Sequence, residues 1–538
     1  MSKSLFLRLR HRYGPRPESA DAAAISRRDA LKATLAGAAG LLVSNSVLGS
    51  FIGSARSSWG AKRIVVIGAG FGGLACAHEL RAAGYDVTVV EARNRVGGRV
   101  LSFSDFVQGK NVEGGAELIG SNHPAWVSYA ERFGLSFLDV TEDEDATAPI
   151  YLDGKLLSDE ESNSLWEALE SATASMNADA VGIDPAAPWT SGKAAEWDGR
   201  SVRQWIDGLA VEAQVKRALH VLFSSDNGVD SERQSYLGML ASVAGGGGEK
   251  YWSDSEVYRC KGGNQQLAFK LRDAIGEDRV VLKLPVTRVG LKRDGLVVEC
   301  ADGRTIECDD VVVAVPPPVW KTITFDPALP AALKPQMGSN VKYLAKLKGP
   351  FWKEKGLAPD SLTDTMVSQT WHGTDNQPEG GPVEGEVVMI GFSGGSASEK
   401  CVALDRAKVD AEYAAAMSKW YPDFKSHFAE ARFMNWPAEK WTGAGYSFPA
   451  PGQVTTVGPL LQQAHAGRIH FAGEHCCYAF VGYMEGALNS GAAVAKRLAL
   501  RDGLLKKEDV PSGRPSSSTS PAAAPAPPAT PTPAPAGR

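Results

Sequence analysis

The sequence predicts an α/β fold that begins with a doubly wound parallel sheet, and three stretches of the chain carry this prediction. Residues 63–67 form a run rich in β-branched side chains that leads directly into a glycine-rich turn and an apolar helical pattern. A second buried strand is predicted at residues 87–90 and a third at residues 311–315. Continuous apolar strands that alternate with helices are typical of parallel sheets, which are covered on both faces.

Length and composition limit the function classes. The chain has 538 residues, 43% of them hydrophobic and 22% charged, which predicts at least two domains with a large core. Its formal net charge of −5 gives no basic excess, so nucleic acid is not an expected partner. The seven cysteines follow no disulfide or metal-binding pattern, and no metal site is predicted.

Both ends of the chain are predicted to lie outside the core. Residues 26–32 read Ser-Arg-Arg-Asp-Ala-Leu-Lys and precede a mildly apolar run, which resembles a twin-arginine export signal. This resemblance implies a periplasmic or extracellular protein, with signal cleavage near Ala55. The apolar run is rich in Gly, Ala and Ser, so no stable membrane span is expected after signal removal. Residues 506–538 are mostly Pro, Ala, Ser and Thr, a composition typical of a disordered tail.

The glycine-rich turn after the first strand predicts a dinucleotide site. Gly68 allows the turn, Gly70 lets the backbone approach a pyrophosphate, and Gly73 lets the helix pack closely on the strand. Phe71 and Gly72 belong to the same turn, where the helix N-terminus favours phosphate. Glu91 ends the second strand and is predicted to accept hydrogen bonds from the ribose hydroxyls.

The residues after Glu91 distinguish between dinucleotides. Residues 91–99 read Glu-Ala-Arg-Asn-Arg-Val-Gly-Gly-Arg, which supplies a second glycine turn and guanidinium groups near the same phosphates. This stretch resembles the E-A-R-x-R-x-G-G-R motif of the flavin amine oxidases. The resemblance implies FAD, with Ala92, Arg93, Gly98 and Arg99 among its binding residues.

The resemblance returns at residues 469–491 and, less strongly, at residues 261–286. It implies that Gly473 and Met484 contact FAD and that Glu474 hydrogen-bonds its ribityl chain or pyrophosphate. It also implies that the backbone of Val286 contacts the adenine.

The fold that this resemblance implies is an FAD-binding Rossmann-like domain of the glutathione-reductase type, interleaved with an α+β substrate domain. The FAD domain is predicted at residues 61–125, 249–324 and 451–505, and residues 1–60 form the signal and linker. The substrate domain is predicted at residues 126–248 and 325–450, with helical patterns at residues 164–176 and 402–420.

Three residues are predicted to act in catalysis. Lys342 matches the lysine that in amine oxidases holds a water beside the reactive flavin nitrogen, and its charge would stabilise superoxide formed during reoxidation. Tyr446 and Tyr483 match the two walls of the aromatic cage of the family. Gly445 stands where the mitochondrial monoamine oxidases carry the cysteine bonded to FAD, so FAD is expected to bind non-covalently.

The family chemistry is oxidation of an amine to an imine, with oxygen reduced to hydrogen peroxide. Glu117 stands where several L-amino-acid oxidases carry an arginine, and an acid at the pocket mouth would favour a cationic amine over a carboxylate. An L-amino-acid oxidase giving a 2-oxo acid stays open as an alternative, as do a carotenoid-type desaturase or isomerase and a flavin-binding module without catalysis. A homodimer is compatible with this interpretation.

Overall fold

A computed structural model describes residues 61–141, 146–377 and 385–506, together with residues 6, 9, 10, 12 and 13 near the N-terminus. The predicted export motif at residues 26–32 and the tail from residue 507 onward lie outside the described residues.

The strands of the described chain are, in order, β1 (Arg63–Ile67), β2 (Asp86–Val90), β3 (Ser102–Val107), β4 (Lys110–Glu113), β5 (Phe137–Asp139), β6 (Ile150–Leu152), β7 (Lys155–Leu156), β8 (Tyr258–Cys260), β9 (Val280–Val281), β10 (Val286–Lys292), β11 (Gly295–Cys300), β12 (Thr305–Cys308), β13 (Asp310–Val313), β14 (Thr324–Asp326), β15 (Asn340–Leu347), β16 (Ser361–Thr363), β17 (Gln369–His372), β18 (Val387–Gly394), β19 (Phe428–Asn435) and β20 (Ile469–Phe471).

The α-helices from residue 61 onward are α1 (Phe71–Ala82), α2 (Pro124–Phe133), α3 (Asp159–Ala180), α4 (Ala194–Asp198), α5 (Val202–Asp207), α6 (Ala213–Asn227), α7 (Tyr236–Gly245), α8 (Glu249–Ser253), α9 (Gln266–Ile275), α10 (Pro317–Trp320), α11 (Ser396–Val402), α12 (Val409–Met417), α13 (Phe424–His427), α14 (Gln453–Thr456), α15 (Gly458–Gln462) and α16 (Met484–Arg501).

The predicted parallel sheet is present and has the strand order β20-β13-β1-β2-β9. All four pairings are parallel, and the α/β fold class is therefore confirmed. The five strands come from three separated stretches of the chain, while the exact domain boundaries remain predictions. Because parallel strands end at the same edge of a sheet, the residues that follow β1, β2, β13 and β20 lie side by side at the carboxyl edge.

A second layer covers this edge. It is a seven-stranded sheet with the order β19-β15-β18-β17-β16-β6-β7, and its strands β6 and β16 share one hydrophobic core with the helices α3 to α8. The predicted helix at residues 164–176 lies inside α3, whose start is fixed by a capping box between Ser158 and Glu161. The predicted helix at residues 402–420 is interrupted, since α11 ends at Val402 and α12 begins only at Val409. The carboxylate of Asp405 accepts a hydrogen bond from the Ala407 N–H at 3.1 Å and stabilises the turn between the two helices.

The expectation that the first 60 residues lie outside the core is wrong for two of the described ones. Phe6 is 5% and Leu9 2% exposed, and both belong to the core that α3 and α8 also form. Residues 6 and 9 are helical and three positions apart, so their side chains share one face of the helix. The sequence pattern concealed this because the segment is short and followed by a polar, basic stretch.

The cysteines form no disulfide within the described part of the chain. All seven cysteines fall within the described residues, and each of them is a free thiol. A search of the described helices finds none that combines the length and the apolarity needed to cross a bilayer.

Candidate functional site

A continuous cavity runs from the carboxyl edge of the parallel sheet to the face of the seven-stranded sheet. The predicted site residues that line it are Gly68, Gly70, Phe71, Gly72, Glu91, Ala92, Arg93, Gly98, Arg99, Glu117, Val286, Lys342, Tyr446, Gly473, Glu474, Tyr483 and Met484. The structure thus brings together residues that are more than 400 positions apart. Their contacts with FAD remain predictions.

Gly73 is the one predicted site residue that does not line the cavity. A Cβ atom at this position would lie 2.0 Å from the carbonyl oxygen of Gly68. Gly73 therefore serves close packing of α1 on the turn rather than contact with the cofactor, which is the mechanical role that the spacing predicts.

The N-terminus of α1 fits the phosphate groups of a dinucleotide. The helix begins at Phe71, its N-cap residue is Gly70, and no side chain caps its free N–H groups. A Cβ atom on Gly70 would meet no atom closer than 3.9 Å, so the space above it is open to a ligand. Unpaired N–H groups at the positive end of a twelve-residue helix favour an anion.

Glu91 lies beside this turn and is held by the backbone. It is 4% exposed, and its two oxygens accept hydrogen bonds at 2.8 Å from the N–H groups of Ala69 and Arg93. Each carboxylate oxygen keeps a further lone pair for a ribose hydroxyl. The geometry fits the predicted role of a ribose-binding acid.

The two predicted arginines are engaged by acids of the protein. Arg93 pairs with Glu439 and donates to the hydroxyl of Thr442 at 2.7 Å. Arg99 donates to Glu474 at 2.9 Å and to the carbonyl of Gly445 at 2.8 Å. Both guanidinium groups therefore hold the segment around residues 439–446 against the FAD domain.

Glu474 is buried within this arrangement. Its carboxylate accepts hydrogen bonds from the hydroxyl of Ser447 at 2.6 Å and from the N–H of Gly482 at 3.0 Å. Burial favours the neutral acid, but the charge of Arg99 and these donors outweigh it, so the pKa of Glu474 lies below its ordinary value. Glu474 is thus a carboxylate that joins two loops at the cavity wall.

Lys342 and Glu117 form a buried ion pair, which corrects the role expected of Glu117. Lys342 lies on β15 and donates to Glu117 at 2.5 Å and to the carbonyls of Glu113 and Gly115 at 2.9 and 3.0 Å. Glu117 is 5% exposed and does not stand as a free acid at a pocket mouth. All three N–H donors of Lys342 are engaged, so it can hold a water only after one of these bonds breaks.

The ion pair continues away from the cavity. Arg259 on β8 is 3% exposed and donates to Glu117 at 2.7 Å, and it pairs with Asp375 on its other side. Burial alone would raise the pKa of Glu117, but the positive charges of Lys342 and Arg259 lower it by a larger amount. The pKa of Glu117 therefore lies below its ordinary value. The four side chains alternate in sign, and the negative charge of Glu117 is offset by its two cationic neighbours.

The two predicted cage tyrosines line the substrate end of the cavity. The hydroxyl of Tyr446 donates to the backbone carbonyl of Asp226 at 2.6 Å, and that of Tyr483 donates to Glu256 at 3.1 Å. Burial, followed by the charge of Glu256, raises the pKa of both phenols, so both remain neutral donors. Their action as parallel walls on either side of an amine remains a prediction.

The structure adds cavity residues that the sequence analysis did not find. They are the acids Asp226 and Glu256, the polar residues Asn340 and Gln369, and the aromatic residues Trp371, Phe392 and Trp436. Asp226 accepts a hydrogen bond from Gln369 at 2.7 Å. Neither acid belongs to a recognisable motif, since Asp226 lies near the end of α6 and Glu256 in the loop before β8.

The segment that carries Gly445 offers no attachment point for a flavin. A Cβ atom at Gly445 would lie 2.2 Å from the side-chain oxygen of Asn340, so the position also lacks room for a side chain. Cys476 and Cys477 do not line the cavity, and burial raises the pKa of both thiols. The residues present fit a dinucleotide that is held without a covalent bond.

Comparisons with known proteins agree with this geometry. A family model described as flavin containing amine oxidoreductase matches residues 71–499. The chain is 27% identical over 493 residues to the flavin-containing amine oxidase A of Sus scrofa, with 85% of this chain and 89% of that protein covered. It is 27% identical over 494 residues to the flavin-containing amine oxidase B of Homo sapiens, with 85% and 90% covered.

Solved structures share the fold. A cyclohexylamine oxidase from Brevibacterium oxydans IH-35A superposes with a TM-score of 0.72 at 24% identity, covering 82% of this chain and 100% of the other. A putrescine oxidase bound to putrescine superposes with a TM-score of 0.73 at 22% identity, covering 82% and 99%.

Proposed function

Because the chain belongs to the flavin-containing amine oxidoreductase family, we propose that it is an FAD-dependent oxidase of a primary or secondary amine that carries a second cationic group. The reaction removes one hydrogen from the carbon and one from the nitrogen of a carbon–nitrogen bond, which gives an imine. Both hydrogens, with their two electrons, reach oxygen, which becomes hydrogen peroxide. Water then hydrolyses the imine to a carbonyl compound and ammonia or an amine. FAD, when bound, supplies the acceptor for the two electrons.

The observation that carries the substrate proposal is the distribution of charge along the cavity. The cationic side chains Arg93, Arg99 and Lys342 line it, and each is paired with a carboxylate of the protein. The acids Asp226 and Glu256 line the substrate end. A substrate carboxylate would find no unpaired cation among the described cavity residues, whereas a cationic nitrogen would be attracted by the two acids.

Glu256 is the residue that we assign to the second cation. The nitrogen beside the oxidised carbon must be neutral for its electrons to assist the reaction, so a carboxylate is best used by a nitrogen that does not react. Glu256 is half-buried next to the ring of Tyr483, whose hydroxyl donates to it and holds its carboxylate in place. The aromatic surroundings exclude water from the reacting end of the substrate.

The proposal is tested by peroxide formation. The FAD-loaded protein is mixed with aerated diamines, simple alkylamines and L-amino acids, and oxygen uptake and hydrogen peroxide are measured together. We expect equal amounts of oxygen consumed and peroxide formed, with diamines giving the highest kcat/KM. If only L-amino acids react, the alternative of an L-amino-acid oxidase is correct. Bleaching of FAD by amines without peroxide would point to a dehydrogenase that uses another acceptor.

The role of Glu256 has its own test. Replacement Glu256→Gln keeps the hydrogen bond from Tyr483 but removes the charge, so KM for a diamine should rise about tenfold and KM for a monoamine should change little. Glu160→Gln, at an exposed acid on α3 that does not line the cavity, is the matched control. A diamine preference that persists unchanged in Glu256→Gln, or that Glu160→Gln removes equally, would overturn the assignment.

Attachment of FAD is tested by denaturation. Since Gly445 has no side chain, heat or acid should release all yellow colour into the supernatant. Colour that stays with the precipitated chain would show a covalent bond at another residue.

We also propose that the protein is exported. The support is the Ser-Arg-Arg-Asp-Ala-Leu-Lys stretch at residues 26–32, together with a cofactor that must be loaded before a folded protein is transported. Replacement of Arg27 and Arg28 by lysine should retain the enzyme in the cytoplasm, as fractionation of the native host would show.

A further inference from the structure

A segment ahead of the predicted export motif is bound to the folded part of the chain. Phe6 packs edge-on against Trp166 of α3, with ring centroids 4.6 Å apart, and lies 6.1 Å from the ring of Trp252 of α8. Leu9 is buried in the same cluster. The two tryptophans are 1% and 2% exposed, so large apolar surfaces are covered where the segment lies.

Polar contacts tie the same segment to the first residues of α3 and α8. Arg12 donates to both oxygens of Asp159 at 3.0 and 2.9 Å, and the hydroxyl of Tyr13 donates to the same carboxylate at 2.8 Å. Arg10 pairs with Glu249 at 3.3 Å. These ion pairs are partly exposed and contribute little energy, but they set the orientation of the segment on α3 and α8.

The contacted helix leads directly to the substrate end of the cavity. In α8, the ring of Trp252 packs edge-on against Tyr251 with centroids 4.9 Å apart. The side chain of Tyr251 hydrogen-bonds that of Tyr483, and Glu256 follows α8 by three residues. A path of packed side chains therefore joins Phe6 to the tyrosine and the acid that line the cavity.

We infer that residues 6, 9, 10, 12 and 13 are a permanent part of the folded enzyme, and that they hold α8 and thereby Tyr483 and Glu256 in position. We name them the N-terminal brace. Cleavage near Ala55 with loss of the released peptide would remove the brace and expose the two tryptophans. The active, exported protein must therefore retain these residues, and the expected cleavage near Ala55 with loss of the released peptide is incompatible with the brace.

The test compares the full-length, FAD-loaded protein with the double variant Phe6→Ala, Leu9→Ala. Two truncated core side chains should lower Tm by about 5 °C. The matched control is Val181→Ala, an apolar truncation at a residue that is 80% exposed, which should leave Tm unchanged. Equal Tm values for wild type, double variant and control would overturn the inference.

Trypsin accessibility gives an independent measurement. In the native protein the brace should resist cleavage after Arg10 and Arg12, and in the double variant both sites should be cut rapidly. Rapid cleavage of wild type at these sites with no loss of Tm would show that the segment is not held. Where the double variant does not accumulate, Phe6→Leu, Leu9→Ala provides a milder change with the same two readouts.

The positioning effect on the cavity rests on the proposed function and has a separate readout. The double variant should raise KM for the preferred amine roughly threefold to tenfold while kcat and the flavin spectrum change little. An unchanged KM combined with a lowered Tm would limit the brace to stability. If wild type oxidises no amine, the proposed function fails while the Tm and trypsin tests still decide the brace. Intact mass of the protein from the native host should include residues 6–13, and a mature chain that lacks them would contradict the inference.

Discussion

The two ends of the cavity differ in how they are built. The dinucleotide end is made mainly from backbone, with Gly68 and Gly70 in a tight turn, an uncapped helix N-terminus, and Glu91 fixed by two N–H groups. The substrate end is made from side chains of distant segments. In its wall, Glu117 and Lys342 pair with each other, and Arg259 pairs with Glu117 from behind the cavity.

This difference explains why only the dinucleotide end is recognisable from a short sequence motif. A site made of backbone requires glycine at a few closely spaced positions, because a Cβ atom would either collide with the backbone, as at Gly73, or occupy the space that the ligand needs, as at Gly70. A site made of paired charges requires only that the charges meet and cancel, and their sequence positions can lie far apart. A site made of backbone therefore leaves a short sequence motif, whereas a site made of paired charges leaves none.

The largest expected effect tests the backbone end. Gly73→Ala places a Cβ atom 2.0 Å from a backbone oxygen, so we expect this variant to lose folded, FAD-bound protein. Gly70→Ala meets no protein atom within 3.9 Å and should fold, but its methyl group occupies the predicted phosphate space and should weaken FAD binding by roughly 100-fold. Titration of FAD into the apo-proteins measures the difference.

Gly192→Ala serves as the control, because a Cβ atom there has no neighbour within 4 Å. Equal FAD affinity for Gly70→Ala and Gly192→Ala would show that the turn does not bind the phosphates.

The next effect concerns Lys342. Lys342→Met should slow reoxidation by oxygen far more than reduction by substrate, with a loss on the order of 100-fold if its charge stabilises developing superoxide. The matched control is Lys346→Met on the same strand, whose ammonium pairs with Glu430 at 2.6 Å and does not line the cavity. Stopped-flow measurement of the two half-reactions separates the outcomes, and an equal loss in both would assign Lys342 a structural role.

A smaller effect concerns Glu113, whose backbone carbonyl accepts a hydrogen bond from Lys342. Glu113 is 2% exposed, and burial raises its pKa to about 7. A folded pKa above the unfolded value of 4.5 means that the stabilising contribution is complete below pH 4.5 and is lost as the pH rises through 7. Glu113→Gln resembles the protonated form, so its stability should fall less steeply than that of wild type between pH 5 and pH 8.

The difference in the free energy of unfolding between Glu113→Gln and wild type should grow by about 2 kcal/mol over this range. Denaturant unfolding at several pH values measures it. Parallel pH dependences for the two proteins would place the pKa of Glu113 near its ordinary value.

The sequence predicted the α/β fold and the residues at the carboxyl edge of the sheet. The strands that precede Gly68 and Glu91 are apolar, and the glycine spacing restricts the turn to one geometry. The sequence also indicated that Lys342 and Glu117 belong to the site. It could not predict their pairing, because Glu117 follows β4, Lys342 lies on β15, and only the three-dimensional fold brings them within 2.5 Å.

The remaining errors have the same cause. Glu117 was expected to attract the substrate, since its partners Lys342 and Arg259 are 225 and 142 positions away and no local pattern indicates them. Glu256 was missed because a single acid before a short strand resembles any surface loop. Phe6 was expected outside the core, because its burial depends on Trp166 and Trp252, which are far along the chain.

The central claim is that the acidic substrate end and the flavin end of one cavity together oxidise a cationic amine. The most direct test mixes the FAD-loaded protein with a diamine without oxygen and then adds oxygen. The flavin absorbance at about 450 nm is measured throughout. We expect the diamine to abolish the absorbance and oxygen to restore it, with one peroxide formed per FAD. Absorbance that resists every amine and is lost only with L-amino acids would contradict this claim.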